Sequence, residues 1–245
     1  MSFLRAEWRK LAIANYAVEP AVLSQYLPAG TQLDLWEGTC YVSLVGFMFL
    51  NTRVMGMRIP GHTHFEEVNL RFYVKRLVNG EVRRGVVFIK EIVPRAAITF
   101  VANTLYKEHY QTLPMRHHWE ETAGLRSVRY EWKAGGQWQQ FSLEADIDPQ
   151  TISAGSAVEF ITEHYWGYAR IDDRNTNEYE VRHPRWQHYP VQKHRIQVDF
   201  AATYGPAFGF LNDQKPASVM LAEGSEISVE GKKRLRVGKN ESVQE

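Results

Sequence analysis

The sequence predicts a mainly β (α+β) fold: a largely antiparallel sheet, closed or strongly curved, with a few helices beside it. Three observations carry this expectation. Segments with apolar residues at alternate positions recur along the chain. Asn79-Gly80 and Gly135-Gly136 offer tight turns between neighbouring segments. Few stretches show helical spacing instead. With 245 residues, 44% hydrophobic and 13% aromatic, the chain can build one large core.

In order along the chain, Pro20 sits at the first helical position after Glu19. Val22, Leu23, Tyr26 and Leu27 then share a face until Pro28 and Gly30 stop the helix. Residues 33–35 and 41–50, separated by Glu37-Gly38, read as a hairpin into a buried strand. Residues 67–75 alternate most cleanly: Val68, Leu70, Phe72 and Val74 on one face, Glu67, Asn69, Arg71, Tyr73 and Lys75 on the other. The Asn-Gly turn leads to residues 85–93, an apolar run broken only by Lys90 and Glu91. After Pro94, the spacing of Ile98, Val101, Ala102 and Leu105 predicts a helix over 95–109.

Residues 125–132 and 138–145 form a second hairpin. Ser156 and Glu159 make a capping box, followed by an amphipathic helix through Phe160, Ile161, His164, Tyr165 and Tyr168. Strands over 177–181, 195–201, 217–221 and 226–229 bring the expectation to about ten strands and three helices. No linker divides the chain, so residues 1–231 read as a single domain. Residues 232–245 read as a polar, flexible tail.

Lys plus Arg number 29 and Asp plus Glu 28, a net charge of +1. That excludes a bulk field for nucleic acid or an anionic membrane. The lone Cys40 can form no internal disulfide and fits a reducing compartment. The longest apolar stretch, 41–50, falls far short of the roughly 20 residues that span a bilayer, and the amino end lacks the pattern of a signal peptide. A cytoplasmic protein is expected, with no nucleic-acid or membrane partner and with room for a homo-oligomer.

No nucleophile elbow, phosphate loop or dinucleotide fingerprint is present, and no cofactor is expected. His62, His64 and Glu66 share strand parity and could form a His-x-His-x-Glu ligand set. They follow Pro60-Gly61, however, and no further partner is marked, so they read as loop residues and no metal is expected. Cys40 reads as a small buried thiol.

The informative region is 66–110. A strand face carrying Glu67, Asn69, Arg71 and Tyr73 either meets solvent or lines a polar cavity. Lys90-Glu91 weighs toward the cavity, with the solvated face still open. Adjacent strand residues face opposite ways, so at least one of these charges points into an apolar layer or a hollow. A lysine held there has a lowered pKa and could serve as an amine nucleophile or base. Asn103, Tyr106, Lys107 and Tyr110 add hydrogen-bonding groups on a separate stripe of the following helix.

Several runs, in order, carry a family resemblance. They are Trp8-Arg9-Lys10-Leu11-Ala12-Ile13-Ala14-Asn15-Tyr16, then Tyr26-Leu27-Pro28-Ala29-Gly30, then Gly46-Phe47. Glu67-Val68-Asn69-Leu70-Arg71-Phe72-Tyr73-Val74, Arg84-Gly85-Val86-Val87-Phe88 and His183-Pro184-Arg185-Trp186 follow. This order resembles the YqjF-like proteins, domain of unknown function 2071, over nearly the whole chain. That family is similar in turn to acetoacetate decarboxylase, which implies an antiparallel β-barrel or cone of that type with an internal cavity.

In the decarboxylase, a cavity lysine with a second lysine beside it forms a Schiff base with a β-keto acid. Glu67 resembles that enzyme's glutamate. No lysine pair is present: Tyr110 stands where the amine should be, with Lys107 three residues earlier. True acetoacetate decarboxylation is therefore not expected.

Three readings follow, in order. The first is a cavity binding a small oxygenated, carboxylate- or carbonyl-bearing metabolite, with Arg71 on the carboxylate and Asn69, Tyr73, Asn103, Tyr106 and Tyr110 orienting it. The second is a lyase of decarboxylase, aldolase or dehydratase type using Glu67 with Lys90 or Lys107. The third is a protein-interaction or assembly module.

Overall fold

A computed structural model describes residues 2–122 and 124–237 of the chain. Its first half holds β1 (Leu4–Val18), β2 (Gln32–Leu33), β3 (Cys40–Val54), β4 (Phe65–Val78), β5 (Glu81–Val93), β6 (Tyr110–Thr112), β7 (Met115–Thr122) and β8 (Leu125–Ala134). The second half holds β9 (Gln137–Asp146), β10 (Gln150–Thr151), β11 (Trp166–Arg170), β12 (Asn175–Arg182), β13 (Gln187–Tyr189), β14 (Val191–Gln197), β15 (Ser218–Val229) and β16 (Lys233–Arg236). Four short helices intervene: α1 (Pro20–Leu23), α2 (Ala96–Val101), α3 (Ala157–Thr162) and α4 (Phe200–Tyr204).

The principal sheet closes on itself. From β15 the order runs β1, β3, β4, β5, β11, β12, and β12 pairs back onto β15 through Val181–Val229 and Arg182–Ser228. Every pair in this ring is antiparallel except β5 with β11. A second antiparallel sheet, β14-β9-β8-β7, covers the outside of the ring.

Period-two alternation explains why both faces of β3 and β4 are buried. Val42, Leu44, Val68, Leu70 and Phe72 pack outward against Val128, Tyr130, Trp132 and Phe141 of the second sheet. The opposite faces join Leu11, Ile13, Val45, Phe47, Phe49 and Phe65 in the barrel interior.

The β4–β5 hairpin turns at Asn79-Gly80, both with positive φ (51° and 84°), as the right-handed twist of paired strands requires. From Val78↔Glu81 to Arg71↔Phe88 the pairing is regular; then Leu70 faces Lys90 and Asn69 faces Glu91. One extra residue has entered β5 at Ile89. This β-bulge reverses which of Lys90 and Glu91 looks into the barrel.

Several expectations need correction. The segment at 33–35 does not form a hairpin with β3; Leu33 pairs with Val74 of β4, and the Trp36–Thr39 bridge makes the turn instead. The helix expected over 95–109 is α2 plus a π-helical turn (Ala102–Tyr106), ended by Lys107 in the left-handed region at φ 63°. Ser156 Oγ does cap α3, accepting from Glu159 N at 3.2 Å, but α3 stops at Thr162 and the chain enters strand β11.

The strand expected at 195–201 ends at Gln197 before α4. The two segments at 217–229 are one strand, β15. In the polar tail, Lys233–Arg236 pairs with β12, where it covers an otherwise open edge. Residues 238–245 lie outside the described residues.

Candidate functional site

Inside the ring lies a cavity of about 180 Å³. Its apolar walls include Trp8, Phe47, Phe49, Phe65, Phe88 and Trp186. Against these walls stands one polar group set, which β4 supplies as Glu67, Asn69 and Arg71 on successive inward positions. Register then extends the polar row sideways. Asn69 faces Glu91 on β5, and Glu91 faces Tyr110 on β6. Glu108 precedes β6, and Tyr179 comes from β12 on the far side.

Glu67 is 2% exposed and accepts from Asn69 Nδ2 at 2.9 Å and Tyr110 OH at 3.0 Å. Glu108 accepts from Tyr179 OH at 2.6 Å. Burial raises the Glu67 carboxyl to about 7 in spite of these bonds and the Arg71 charge. Burial does the same to Glu108, also to about 7. Glu91 is raised well above the ordinary carboxylate range by burial and by the charges of Glu108 and Glu67. Three buried carboxyl groups thus share one space and titrate as a cluster.

Arg71 is 7% exposed. Among the described residues no carboxylate lies within 4 Å of its guanidinium, and its buried Nε donates to nothing. The Tyr73 ring centroid stands 5.8 Å from its Cζ. A buried guanidinium without an anion costs several kcal/mol of lost hydration. Asn69 Oδ1 and Glu91 Oε2 are likewise buried without a hydrogen-bond partner.

His164 also lines the cavity; its Nε2 lies 3.3 Å from Asp34 Oδ2 and its Nδ1 has no partner. Burial holds this imidazole down to about 4, so it is neutral at neutral pH.

The structure brings Glu67, Asn69, Arg71, Tyr106 and Tyr110 to the cavity and places four other candidates elsewhere. Lys90 lies on the outer face of β5 because of the bulge, and its Nζ donates to Thr203 O at 2.5 Å. Burial does lower its pKa, but outside the barrel. Lys107 is exposed, because the left-handed turn at that residue carries its side chain away from the helix stripe.

Tyr73 OH is spent on Ser43 Oγ at 2.7 Å, in a network that continues to Asn15. Asn103 brackets the backbone of Tyr110, donating to its carbonyl at 2.9 Å and accepting from its N–H at 2.8 Å, so it positions Tyr110 from outside. The histidine set disperses. His62 meets Pro60 O, His64 accepts from Asn51 N, and Glu66 faces the second sheet and pairs with His117 at 2.6 Å. Cys40 is buried, its thiol pushed up by burial to about 11.

Sequence reasoning took Lys90 rather than Glu91 from that adjacent pair, and it missed Glu108, His164 and Tyr179 as cavity groups. Tyr179 owes its position to a glycine. Its ring lies across Gly167, where an added Cβ would fall 2.1 Å from Cζ. Gly167→Ala should therefore push the ring off Glu108 and destabilise the protein by about 2–4 kcal/mol, from overpacking plus a lost charge-assisted bond. Denaturant titration measures this; a loss below about 0.5 kcal/mol contradicts the packing described.

The model of the family DUF2071, described as an uncharacterized conserved protein, matches residues 5–226. Uncharacterized protein YqjF of Bacillus subtilis (strain 168) is 33% identical over 72 residues, which span 29% of this chain and only 30% of that relative. Among solved structures, an acetoacetate decarboxylase-like enzyme from Sphingomonas wittichii RW1 superposes with TM-score 0.65 at 12% identity, covering 97% of this chain and 95% of that one. Acetoacetate decarboxylase from Legionella pneumophila gives 0.65 at 13% identity, with coverage of 98% and 88%. Enduracididine biosynthesis enzyme MppR complexed with pyruvate also gives 0.65 at 13%, with coverage of 96% and 91%. At such identities these likenesses establish a shared acetoacetate decarboxylase-like fold.

Proposed function

The chain belongs to the DUF2071 family, and we propose that its barrel binds a small carboxylate-bearing metabolite with Arg71 as the anion's partner. One observation carries this reading: a buried guanidinium faces the cavity, and among the described residues no carboxylate lies within 4 Å of it. An incoming carboxylate supplies the missing charge and accepts two parallel N–H bonds, while aromatic walls take up the apolar remainder. A cavity of about 180 Å³ suits a metabolite of a few heavy atoms rather than a drug-sized ligand. The pyruvate held by MppR, on the same fold, is a ligand of this size class.

Calorimetric titration with pyruvate and butanoate, against the methyl ester of each, tests the reading. The acids should bind at least tenfold more tightly than the esters. Equal affinity removes Arg71 from the anion-binding role.

A second reading is acid–base chemistry on that ligand, favoured by Glu67, a carboxyl raised to about 7 and held by Tyr110 and Asn69. No lysine lines the cavity among the described residues, so a Schiff-base step is not part of it. Borohydride added with acetoacetate should leave the intact mass unchanged. A stoichiometric adduct on one lysine would restore the imine mechanism. A role in assembly alone gives no reason to keep an unpaired charge inside the barrel.

A further inference from the structure

Among the described residues, five that line the cavity have a buried polar atom without a partner: Arg71, Trp8 and His164, and, on the same wall as Arg71, Asn69 and Glu91. Asn69 Nδ2 is committed to Glu67, which turns Asn69 Oδ1 the other way, without a donor. Directly across the ladder, Glu91 Oε2 also lacks a donor. Two neighbouring empty acceptors and one empty cationic donor therefore sit on adjoining inward positions of the same wall. Charge points the same way. A simple carboxylate beside Arg71 satisfies the guanidinium but leaves Asn69 Oδ1 and Glu91 Oε2 unpaired, and its charge opposes ionisation of Glu67, Glu91 and Glu108.

We infer that the ligand is zwitterionic: a small amino acid whose carboxylate pairs with Arg71 and whose ammonium donates to Glu91 and Asn69. This rests on the carboxylate-binding reading above and adds the second half of the recognition. The ammonium carries three N–H donors, enough for both orphaned acceptors with one to spare. Binding would replace a proton on the acidic cluster by a fixed positive charge and so release that proton to the buffer. The two anchor positions are two residues apart along β4, roughly 7 Å between Cα atoms, and this bounds the spacing of the ligand's charges.

The test is a matched set titrated calorimetrically into the full chain at one pH: pentanoate, 2-aminopentanoate, 5-aminopentanoate and butylamine. One of the two amino acids should bind at least tenfold more tightly than pentanoate. Glu91→Gln should bring that amino acid down to the affinity of pentanoate. Pentanoate binding as tightly as both amino acids overturns the zwitterion while leaving the carboxylate reading in place. Butylamine binding as tightly as the amino acids overturns both, because Arg71 then contributes nothing. The comparison of ligands on the unaltered protein decides even if the variant fails to fold, and a Glu91→Gln protein that keeps the tenfold preference also overturns the proposal.

Discussion

Arg71→Met should raise the melting temperature of the ligand-free protein and, in the same variant, abolish its affinity for carboxylates. The two effects share a cause. Among the described residues no carboxylate lies within 4 Å of the buried native guanidinium, so the folded state carries a dehydration cost that no ion pair offsets. Methionine fills a similar volume without that cost, and replacing a poorly compensated buried charge by a packed apolar side chain stabilises by about 1–4 kcal/mol. For a chain of this size that is a rise of several degrees, at about 2–4 °C per kcal/mol. Loss of a desolvated charge pair with ligand removes about 2–5 kcal/mol of binding, or roughly 30-fold to several thousand-fold in affinity. Arg71→Lys should fall between, because a point charge cannot replace the planar fork. A drop in melting temperature with affinity retained would make Arg71 a structural residue.

The second large effect concerns pH. Glu108 is raised from 4.5 to about 7 in the folded protein. The folded state therefore binds more protons than the unfolded chain between those values, and stability falls as pH rises through that window. The contribution is fully present below the unfolded pKa and is lost by about pH 7. It amounts to something on the order of 3 kcal/mol. Glu67 and Glu91 act in the same sense as Glu108, and His164, held down to about 4, acts in the opposite sense between its folded pKa and 6.5, so the wild-type profile alone mixes all four.

Glu108→Gln isolates the carboxyl. The variant keeps an acceptor for Tyr179 but cannot ionise, and it should gain on the wild type progressively from pH 5 to pH 8. Parallel stability curves across that range would mean that Glu108 ionises freely in the native state.

The course of β4 was legible because alternation is a direct consequence of strand geometry, and the polar face it defines is the face that lines the cavity. The Asn79-Gly80 turn was legible for a similar local reason. Continuing its register without interruption places Lys90 opposite Asn69. The bulge at Ile89 puts Glu91 there instead, and a bulge inside an apolar run leaves no local mark. Lys107 was drawn onto the site by helical spacing that ends one residue earlier, at a left-handed turn.

Tyr179 reaches the cavity through ring closure, a long-range property that no neighbouring residues encode, whereas Glu108 arrives with the return of β6 onto β5 and His164 with the segment before β11. The long strand β1 and the outer strand β7 escaped notice as well. β1 carries apolar residues on both faces, and β7 is mostly exposed, so neither shows a clean period of two.

The most direct measurement is a crystal structure of the protein grown with pentanoate. Both carboxylate oxygens should lie about 3 Å from the Arg71 guanidinium, with the hydrocarbon against the aromatic walls. Arg71 paired instead with a protein carboxylate, or pentanoate bound anywhere else, would contradict the account.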